Sequence, residues 1–339
     1  MSKNIIFIIG AGASHDLHPQ FALGTELLQQ ISDRVTDRTS ISDRHISKLL
    51  LKAGIDYSTC WDFVHHLDEY KKNSESPSID EFLNEISSYP EFSNVKEDFL
   101  NIGKFSIIAH ILGYEAVLKN RDNQNLRSDA WLNALCQFIE ENNLLDITVT
   151  HPYNLKLITF NYDRNIEHFI YCYPGFRGKA SQIKAFLQNS LLHVYGKIGD
   201  LEWQDAKDYF FEYGEANDKV SKIFSQRHAI KLMFPDRLIE NENEKIAREW
   251  IHTGETGLAC TFGFNFDYLN YRLLELNNFN LSHRREKGRF IANVYPYGDE
   301  GFKNRRNMAA KIRNIQHDAE ITYLSCTDFL NYIFSLIKV

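Results

Sequence analysis

A short turn of small residues near the amino terminus has the composition of a phosphate-binding loop. It follows the apolar run Ile5–Ile9 and precedes a predicted helix, and it consists of Gly10, Ala11, Gly12, Ala13 and Ser14. Without bulky side chains, such a turn lets backbone N–H groups approach a pyrophosphate beside the positive end of the helix. The third glycine of the dehydrogenase fingerprint is missing, and no acidic ribose ligand follows at the usual distance. Hydride transfer is therefore disfavoured, and a turn used only for tight packing remains an alternative.

Two polar side chains follow the next strongly predicted strand, Leu155–Thr159. Asn161 and Asp163 come directly after it, where open α/β sheets form their ligand crevice. An asparagine side chain both donates and accepts hydrogen bonds, so Asn161 can fix a ribose hydroxyl or an attacking water. The alternative is that both residues cap the helix that follows.

Other predicted strand ends also carry residues that could act in catalysis or ligand binding. His193 lies in the predicted strand Leu191–Tyr195, and histidine is the side chain best suited to act as a base near neutral pH. A structural role for a lone strand histidine is the alternative. The remaining strand-end candidates are Gly263, Asn265 and Asn293. Because the carboxyl ends of parallel strands meet at one edge, we expect these side chains to converge on a single crevice.

The elements that must position these residues alternate between strands and helices. Ile5–Ile9 is β-branched and continuous, as expected of a central parallel strand covered on both faces. Residues 17–146 give mostly helical signals, and regular alternation follows in residues 147–339. The sequence therefore predicts an α/β fold, a Rossmann-like doubly wound parallel sheet with a large helical insertion after the first strand. We expect one domain over 1–339, with 1–16 and 147–339 as its core.

Composition excludes several classes of protein. The formal net charge is −7 and the pI is about 6.0, so nucleic acid is a poor candidate for the substrate. A basic stretch over 283–313 suits a solvated helix face better than an anion site. The five cysteines form no C-x-x-C pair, and no apolar run is long enough to cross a membrane. These features predict a reduced, cytoplasmic protein without a metal site.

Taken in order, these motifs resemble the sirtuin-like family, and most closely its divergent bacterial form found in anti-phage defence. The motifs on which this resemblance rests are GAGAS from Gly10, TFNYD from Thr159, HVYG from His193, FGFN from Phe262 and a strand-end asparagine. The resemblance implies that the turn Gly10–Ser14 cradles phosphates and that Asn161 is the catalytic asparagine, with Asp163 as its acidic neighbour. It also implies contacts of Gly263, Asn265 and Asn293 with the phosphates and adenosine of NAD.

Departures from the family pattern narrow the expected activity. The family's catalytic histidine directly precedes a glycine, and Tyr195 stands there in this chain. His193, two residues upstream, is then the candidate base, or the base is missing. The four-cysteine zinc module and the Pro-Asp-Phe-Arg segment of protein-deacylating relatives are also missing. The resemblance therefore implies an NAD glycohydrolase that depletes NAD as its substrate, with Asn161 positioning water and His193 acting as base.

Two other functions remain open, and each predicts a different outcome when the protein is incubated with NAD. One is a non-catalytic nucleotide-binding sensor in a defence complex, and the other is transfer of ADP-ribose to a macromolecule. A toxic hydrolase must also be held inactive until it is needed. We therefore expect control by homo-oligomerisation or by a separately encoded defence partner, docking on the helical insertion or on the basic stretch 283–313.

Overall fold

Six parallel strands form the sheet of the protein. The computed structural model describes residues 3–18, 21–22, 24–36, 46–74, 77–122, 130–204, 212–214, 241–253, 256–266, 268–279, 288–294 and 301–337. Within them the strands are β1 Lys3–Ile9, β2 Tyr153–Thr159, β3 Leu191–His193, β4 Thr256–Phe262, β5 Arg289–Asn293 and β6 Glu320–Thr322.

The strand order confirms the predicted fold class. It runs β3-β2-β1-β4-β5-β6, every pairing is parallel, and this is the order typical of Rossmann folds. Parallel neighbours need long crossovers, which the intervening helices supply. The protein is therefore an α/β, Rossmann-like structure with helices on both faces of the sheet.

The central strand β1 explains why the first apolar run is continuous. Side chains alternate between the faces of a strand, so Ile5, Phe7 and Ile9 pack into one hydrophobic core and Ile6 and Ile8 into the other. All five are buried. A strand covered on both faces needs an apolar residue at every position, whereas alternation of apolar and polar residues is typical of a sheet with one solvent-exposed face.

Thirteen α-helices occur among the described residues. In chain order they are α1 Ala11–Leu17, α2 Gly24–Thr36, α3 Ile46–Lys52, α4 Tyr57–Asn73, α5 Ile79–Ser88, α6 Lys96–Asp122, α7 Trp131–Glu141, α8 Asn165–Cys172, α9 Ala180–Ser190, α10 Glu242–His252, α11 Tyr268–Leu273, α12 Gly301–Ile315 and α13 Cys326–Ile337. The core on one face of the sheet takes residues from α7, α8, α9 and α13, and the core on the other face takes residues from α10 and α12.

Helices α2 to α6, here called the helical module, surround a third core of their own. Helix α6 has 27 residues and is therefore about 40 Å long. Its first half contributes Ile102 and Leu112 to the module core, whereas Tyr114 and Leu118 pack into the sheet core. In contrast, α7 lies on the sheet, where the Trp131 indole donates to the carbonyl of Ala13 at 2.9 Å. Helix α6 thus carries residues of the module into the centre of the molecule.

Helix α9 is not predicted from the sequence, although its buried residues Ile183, Phe186 and Leu187 have helical spacing. The apolar segment 230–234, whose pattern also predicts a short strand, lies outside the part of the chain that the structure describes. The basic stretch is described in part, over 288–294 and 301–313, and Arg306 and Arg313 are exposed on α12.

Candidate functional site

The strand order reverses between β1 and β4, and this reversal sets the position of the site. Ile9, at the end of β1, aligns with Thr159 of β2 and with Phe262 of β4. Ligands of open α/β sheets bind outside the carboxyl ends of the strands at such a reversal. The glycine turn after β1 and Asn161 after β2 therefore lie side by side at the carboxyl edge of the sheet.

The glycine turn packs directly against the loop that follows β4. A Cβ atom on Gly10 would lie 2.3 Å from the carbonyl oxygen of Gly263, and one on Gly263 would lie 2.1 Å from the amide nitrogen of Ala13. The Gly12 amide donates to the Gly263 carbonyl at 2.9 Å. The Ala13 amide donates to the Gly10 carbonyl at 3.0 Å. Tight backbone packing thus accounts for Gly10 and Gly263, and it occupies two amides that the sequence assigns to phosphate binding.

This packing predicts a large loss of stability when Gly263 is replaced by alanine. Gly263 has φ +60°, which costs an L-residue about 1–2 kcal/mol, and the steric conflict with the glycine turn adds to that cost. We expect Gly263→Ala to lose more than about 2 kcal/mol of unfolding free energy in urea titrations. Gly178→Ala is the matched control, because Gly178 has φ +78° and no atom within 4 Å of an added Cβ. Equal losses in the two variants would contradict the close approach.

Ser14, Asn161 and Asp163 form a buried hydrogen-bonded cluster beside the turn. The Asn161 side-chain amide donates to the Gly10 carbonyl at 3.2 Å and to Ser14 Oγ at 2.9 Å. Ser14 Oγ donates in turn to Asp163 Oδ2 at 2.7 Å. With both N–H bonds engaged, the orientation of the Asn161 amide is fixed. Its Oδ1 is buried and has no hydrogen-bond partner among the described residues.

Asp163 combines the capping role with a place in this cluster. Its Oδ1 accepts the amide of Asn165 in the first turn of α8, at 3.2 Å. Burial raises the pKa of Asp163 to about 6, against the lowering effect of the hydrogen bonds from Ser14 and Asn165. The carboxyl group therefore changes its charge just below neutral pH.

The raised pKa of Asp163 predicts a pH-dependent contribution to stability. Since the folded-state pKa of about 6 exceeds the ordinary value of about 3.9, this group favours folding below pH 4, and that contribution is lost as the pH rises through 6. Asp163→Asn removes the titration. We expect the variant to gain roughly 2–3 kcal/mol on the wild type between pH 4 and pH 7, measured by urea unfolding at each pH. Parallel stability curves would contradict the assignment.

The cluster opens into a cavity of about 190 Å³ between the sheet and the helical module. The lining is largely apolar, from Phe21, Leu27, Ile79, Ile107, Ile111 and Phe160, with Ala11, Ser14, Asp80, His110, Asn161 and Asp163 as further lining residues. Small-molecule pockets have volumes of roughly 300–1,000 Å³, so this cavity suits one ring or sugar of a larger ligand. Mostly apolar walls with a few convergent polar groups are typical of such sites.

A buried ion pair fixes the segment between Asn161 and α8. Arg164 and Glu115 are both completely inaccessible to solvent and form a salt bridge. Glu115 Oε1 also accepts the Arg164 backbone amide at 3.1 Å and its Nε at 3.2 Å. Because Glu115 lies on α6, the helical module holds the backbone next to Asp163 in place.

His193 lies in a neighbouring cavity and not in the one that Asn161 lines. This second cavity has a volume of about 340 Å³ and includes Glu167 and Lys197 in its lining. The His193 Nδ1 is 2.8 Å from the Asn161 backbone carbonyl, and its Nε2 is 3.1 Å from Glu167 Oε1. Both ring nitrogens therefore face oxygen atoms of this chain, and His193 is not among the described residues that line the Asn161 cavity.

The charges around Glu167 maintain this arrangement. Burial alone would raise the pKa of Glu167, but the Lys197 ammonium, 3.1 Å away, and His193 lower it well below its ordinary range. The carboxylate is therefore ionised at neutral pH and holds His193 from the side opposite Asn161.

Tyr195, which stands at the family's histidine position, belongs to a hydrophobic core. Its ring is buried and packs edge-on against Phe160, and its hydroxyl donates to Asn270 Oδ1 at 2.7 Å. These contacts account for an aromatic residue at this position.

The two remaining candidates lie apart from the Asn161 cavity. Asn293 is buried, and its amide donates to the Leu324 carbonyl at 2.9 Å while its oxygen accepts from Thr322 Oγ1 and the Leu324 amide. This side chain therefore joins β5 to the segment after β6. Asn265 is exposed, in the loop that follows Gly263. The structure thus brings together Ser14, Asn161 and Asp163, with His193 behind them.

The buried polar residues of this region that were not identified from sequence include His110 and Glu115 on α6, Arg164 just before α8, and Glu167 on α8. A charged residue inside an apolar helical run, such as Glu115 in Gly-Tyr-Glu-Ala-Val-Leu, is the one signal that could have been used. For His110 a buried structural histidine would have been the natural interpretation.

No family model matches this chain, and no curated protein matches it in sequence. Functional inference therefore rests on the geometry of the site. Among the described residues, no helix has the length and apolar character that crossing a membrane requires. In the same part of the chain, no group of three or more His, Cys, Asp or Glu side chains could hold a metal ion.

Proposed function

We propose that this protein binds NAD at the carboxyl edge of its sheet and hydrolyses the nicotinamide–ribose bond, giving nicotinamide and ADP-ribose. The observation that carries the proposal is the hydrogen bonding and location of the Asn161 side chain. Its N–H groups donate to Gly10 and Ser14, and its buried Oδ1 has no partner among the described residues. The residue itself lines a cavity at the point where Rossmann sheets bind nucleotides. The order of motifs that resembles sirtuin-like proteins supports the same assignment.

The chemistry of the reaction fits this arrangement. Breaking the nicotinamide–ribose bond releases neutral nicotinamide and leaves positive, oxocarbenium-like charge on the sugar. Water then forms the new bond to the anomeric carbon and loses one proton to the solvent. A fixed amide oxygen in an apolar cavity stabilises such charge without reorganising, or accepts a hydrogen bond from the attacking water. Asp163, ionised above about pH 6, adds negative charge behind Asn161 through Ser14.

In this mechanism His193 is a positioning residue. Its hydrogen bond to the Asn161 carbonyl fixes the main chain from which the amide projects. Held between that carbonyl and Glu167, the imidazole supports Asn161 instead of touching the sugar.

A nucleotide-binding sensor without catalysis is the second candidate. It is favoured by the location of His193 in the neighbouring cavity and by Tyr195 at the family's histidine position. In either case we propose a role in bacterial anti-phage defence, through depletion or sensing of NAD, under the control of oligomerisation or of a separate partner protein.

Product analysis distinguishes the candidates. Purified protein is incubated with NAD, alone, at raised protein concentration and with extract of phage-infected cells, and nicotinamide and ADP-ribose are quantified by chromatography. Equimolar release of both supports hydrolysis. Stoichiometric binding without any product in every mixture supports the sensor and contradicts the hydrolase. Radiolabel transferred from NAD to a macromolecule would identify ADP-ribosyl transfer, and absence of binding contradicts all three functions.

A further inference from the structure

His110 brings a polar atom of the helical module to the Asn161 cavity. It lies on α6, its side chain is 1% exposed, and it lines the same cavity as Asn161 and Asp163. The neighbouring lining residues Ile107 and Ile111 are apolar. Tyr114, one turn further along α6, also lines the cavity, but its hydroxyl already donates to Gln30 Oε1 and accepts the Ala22 amide.

The hydrogen bonding of His110 defines which nitrogen carries the proton. Its Nδ1 is 2.9 Å from the backbone carbonyl of Ser106, which can only accept, so Nδ1 is the donor. Its Nε2 is buried and has no hydrogen-bond partner within the described part of the chain. Burial, and then the positive charge of Arg34, lower the pKa of His110 to about 3. The ring is thus neutral under working conditions, and Nε2 presents a lone pair.

Two residues that line one small cavity, His110 and Asn161, therefore each carry a buried acceptor without a partner among the described residues, Nε2 and Oδ1. Leaving a buried polar atom without a partner is unfavourable, and native structures rarely do so without a functional reason. Both acceptors are satisfied by a ligand that brings N–H or O–H donors on an apolar or ring-shaped body. NAD carries several such groups, namely its ribose hydroxyls, the carboxamide of its nicotinamide and the amino group of its adenine.

We propose that the helical module completes the nucleotide site through His110, whose Nε2 accepts a hydrogen bond from an N–H or O–H donor of the bound nucleotide next to Asn161. The proposal rests on nucleotide binding by the proposed function and is independent of hydrolysis. It makes the insertion part of the ligand site.

Two substitutions at this position separate the two nitrogens. In His110→Asn the side-chain amide can still donate to the Ser106 carbonyl, but the acceptor at the Nε2 position is lost. His110→Gln can present its amide oxygen near that position. We expect His110→Asn to bind NAD about tenfold more weakly in calorimetric titrations, and His110→Gln to lose less. His317→Asn, at a residue 97% exposed, is the control and should bind as the wild type does.

Titrations with nicotinamide and with ADP-ribose identify the donor. Loss of affinity in His110→Asn for nicotinamide alone assigns the carboxamide, and loss for ADP-ribose alone assigns a ribose hydroxyl or the adenine amino group. The nitrogen resonance of Nε2 in isotope-labelled histidine should also shift when the same ligand is added to the wild type. Circular dichroism melting verifies that both variants are folded.

Several results would overturn the proposal. One is equal affinity of wild type and folded His110→Asn for every ligand, and another is an Nε2 resonance that no ligand moves. A wild type that binds none of the three compounds overturns both this proposal and the proposed function. A wild type that binds NAD through His110 but releases no nicotinamide leaves this inference standing and removes only the hydrolase.

Discussion

Replacing Asn161 by alanine should lower kcat for nicotinamide release by about 10²–10³-fold or more, the usual cost of losing one preorganised polar group aimed at transition-state charge. Asn161 lines the cavity, and its buried Oδ1 has no partner among the described residues, so we expect this oxygen to interact with the ligand. The measurement is single-turnover release of nicotinamide, with NAD affinity determined separately. A fall in kcat with nearly unchanged affinity would indicate that the amide acts in the transition state.

The control for this variant is Asn314→Ala, at an exposed asparagine on α12. Its turnover should match the wild type. Alanine at 161 also removes the hydrogen bonds to Gly10 and Ser14, each worth about 0.5–1.5 kcal/mol, so the variant should remain folded but melt at a lower temperature. Undiminished turnover in folded Asn161→Ala would exclude Asn161 from the mechanism.

Sequence was sufficient for the fold because its signals are local. The continuous run Ile5–Ile9 predicts a doubly covered strand, and the alternation of strands with helices after residue 147 predicts a parallel sheet. Strand order is not local, yet the sheet prediction was correct in class because crossover helices leave few alternatives. Register then explains the part of the site that was predicted. Ile9 aligns with Thr159, which brings the glycine turn beside Asn161.

The direction of side chains explains the part that was not predicted. Thr159 also aligns with His193, so both strand ends lie at one edge. However, the position of a residue along a strand determines only how near it lies to the edge of the sheet. The pleat and the following loop determine the direction in which its side chain points. As a result His193 meets Asn161 through a backbone carbonyl and opens into a separate cavity. Asn265 leaves the crevice with the loop after Gly263, whose φ is positive.

Residues of the helical module could not be assigned to the site from one sequence. The spacing of apolar residues predicts that α6 is a helix, and it predicts which face of this helix is buried. It does not predict which part of the protein packs against each turn of the helix. His110 and Glu115 reach the site because α6 spans two cores. Their contacts connect positions about fifty residues apart, without a shared register to relate them.

Removing Glu115 should cause the largest loss of stability among single substitutions at the site. Glu115→Ala leaves the Arg164 guanidinium buried without its counter-charge, since both side chains are completely inaccessible in the folded protein. Breaking such a pair from one side costs about 3–5 kcal/mol. The measurement is the midpoint of urea unfolding. Nicotinamide release should fall as well, because Glu115 Oε1 holds the Arg164 amide next to Asp163.

A double variant distinguishes the lost charge from lost packing. If the uncompensated guanidinium is the cause, Glu115→Met combined with Arg164→Met should recover much of the stability, since apolar replacements of buried ion pairs are often neutral or stabilising. Glu249→Ala removes an exposed partner of Lys245 and should change stability by less than about 1 kcal/mol. If Glu115→Ala were as stable as Glu249→Ala, the ion pair would contribute nothing, and the helical module would need another means of fixing the segment that carries Asn161 and Asp163. Stability could instead recover while nicotinamide release does not. That result would show that the hydrogen bond from the backbone amide of residue 164 to the Glu115 carboxylate positions this segment, since methionine at 115 does not replace this acceptor.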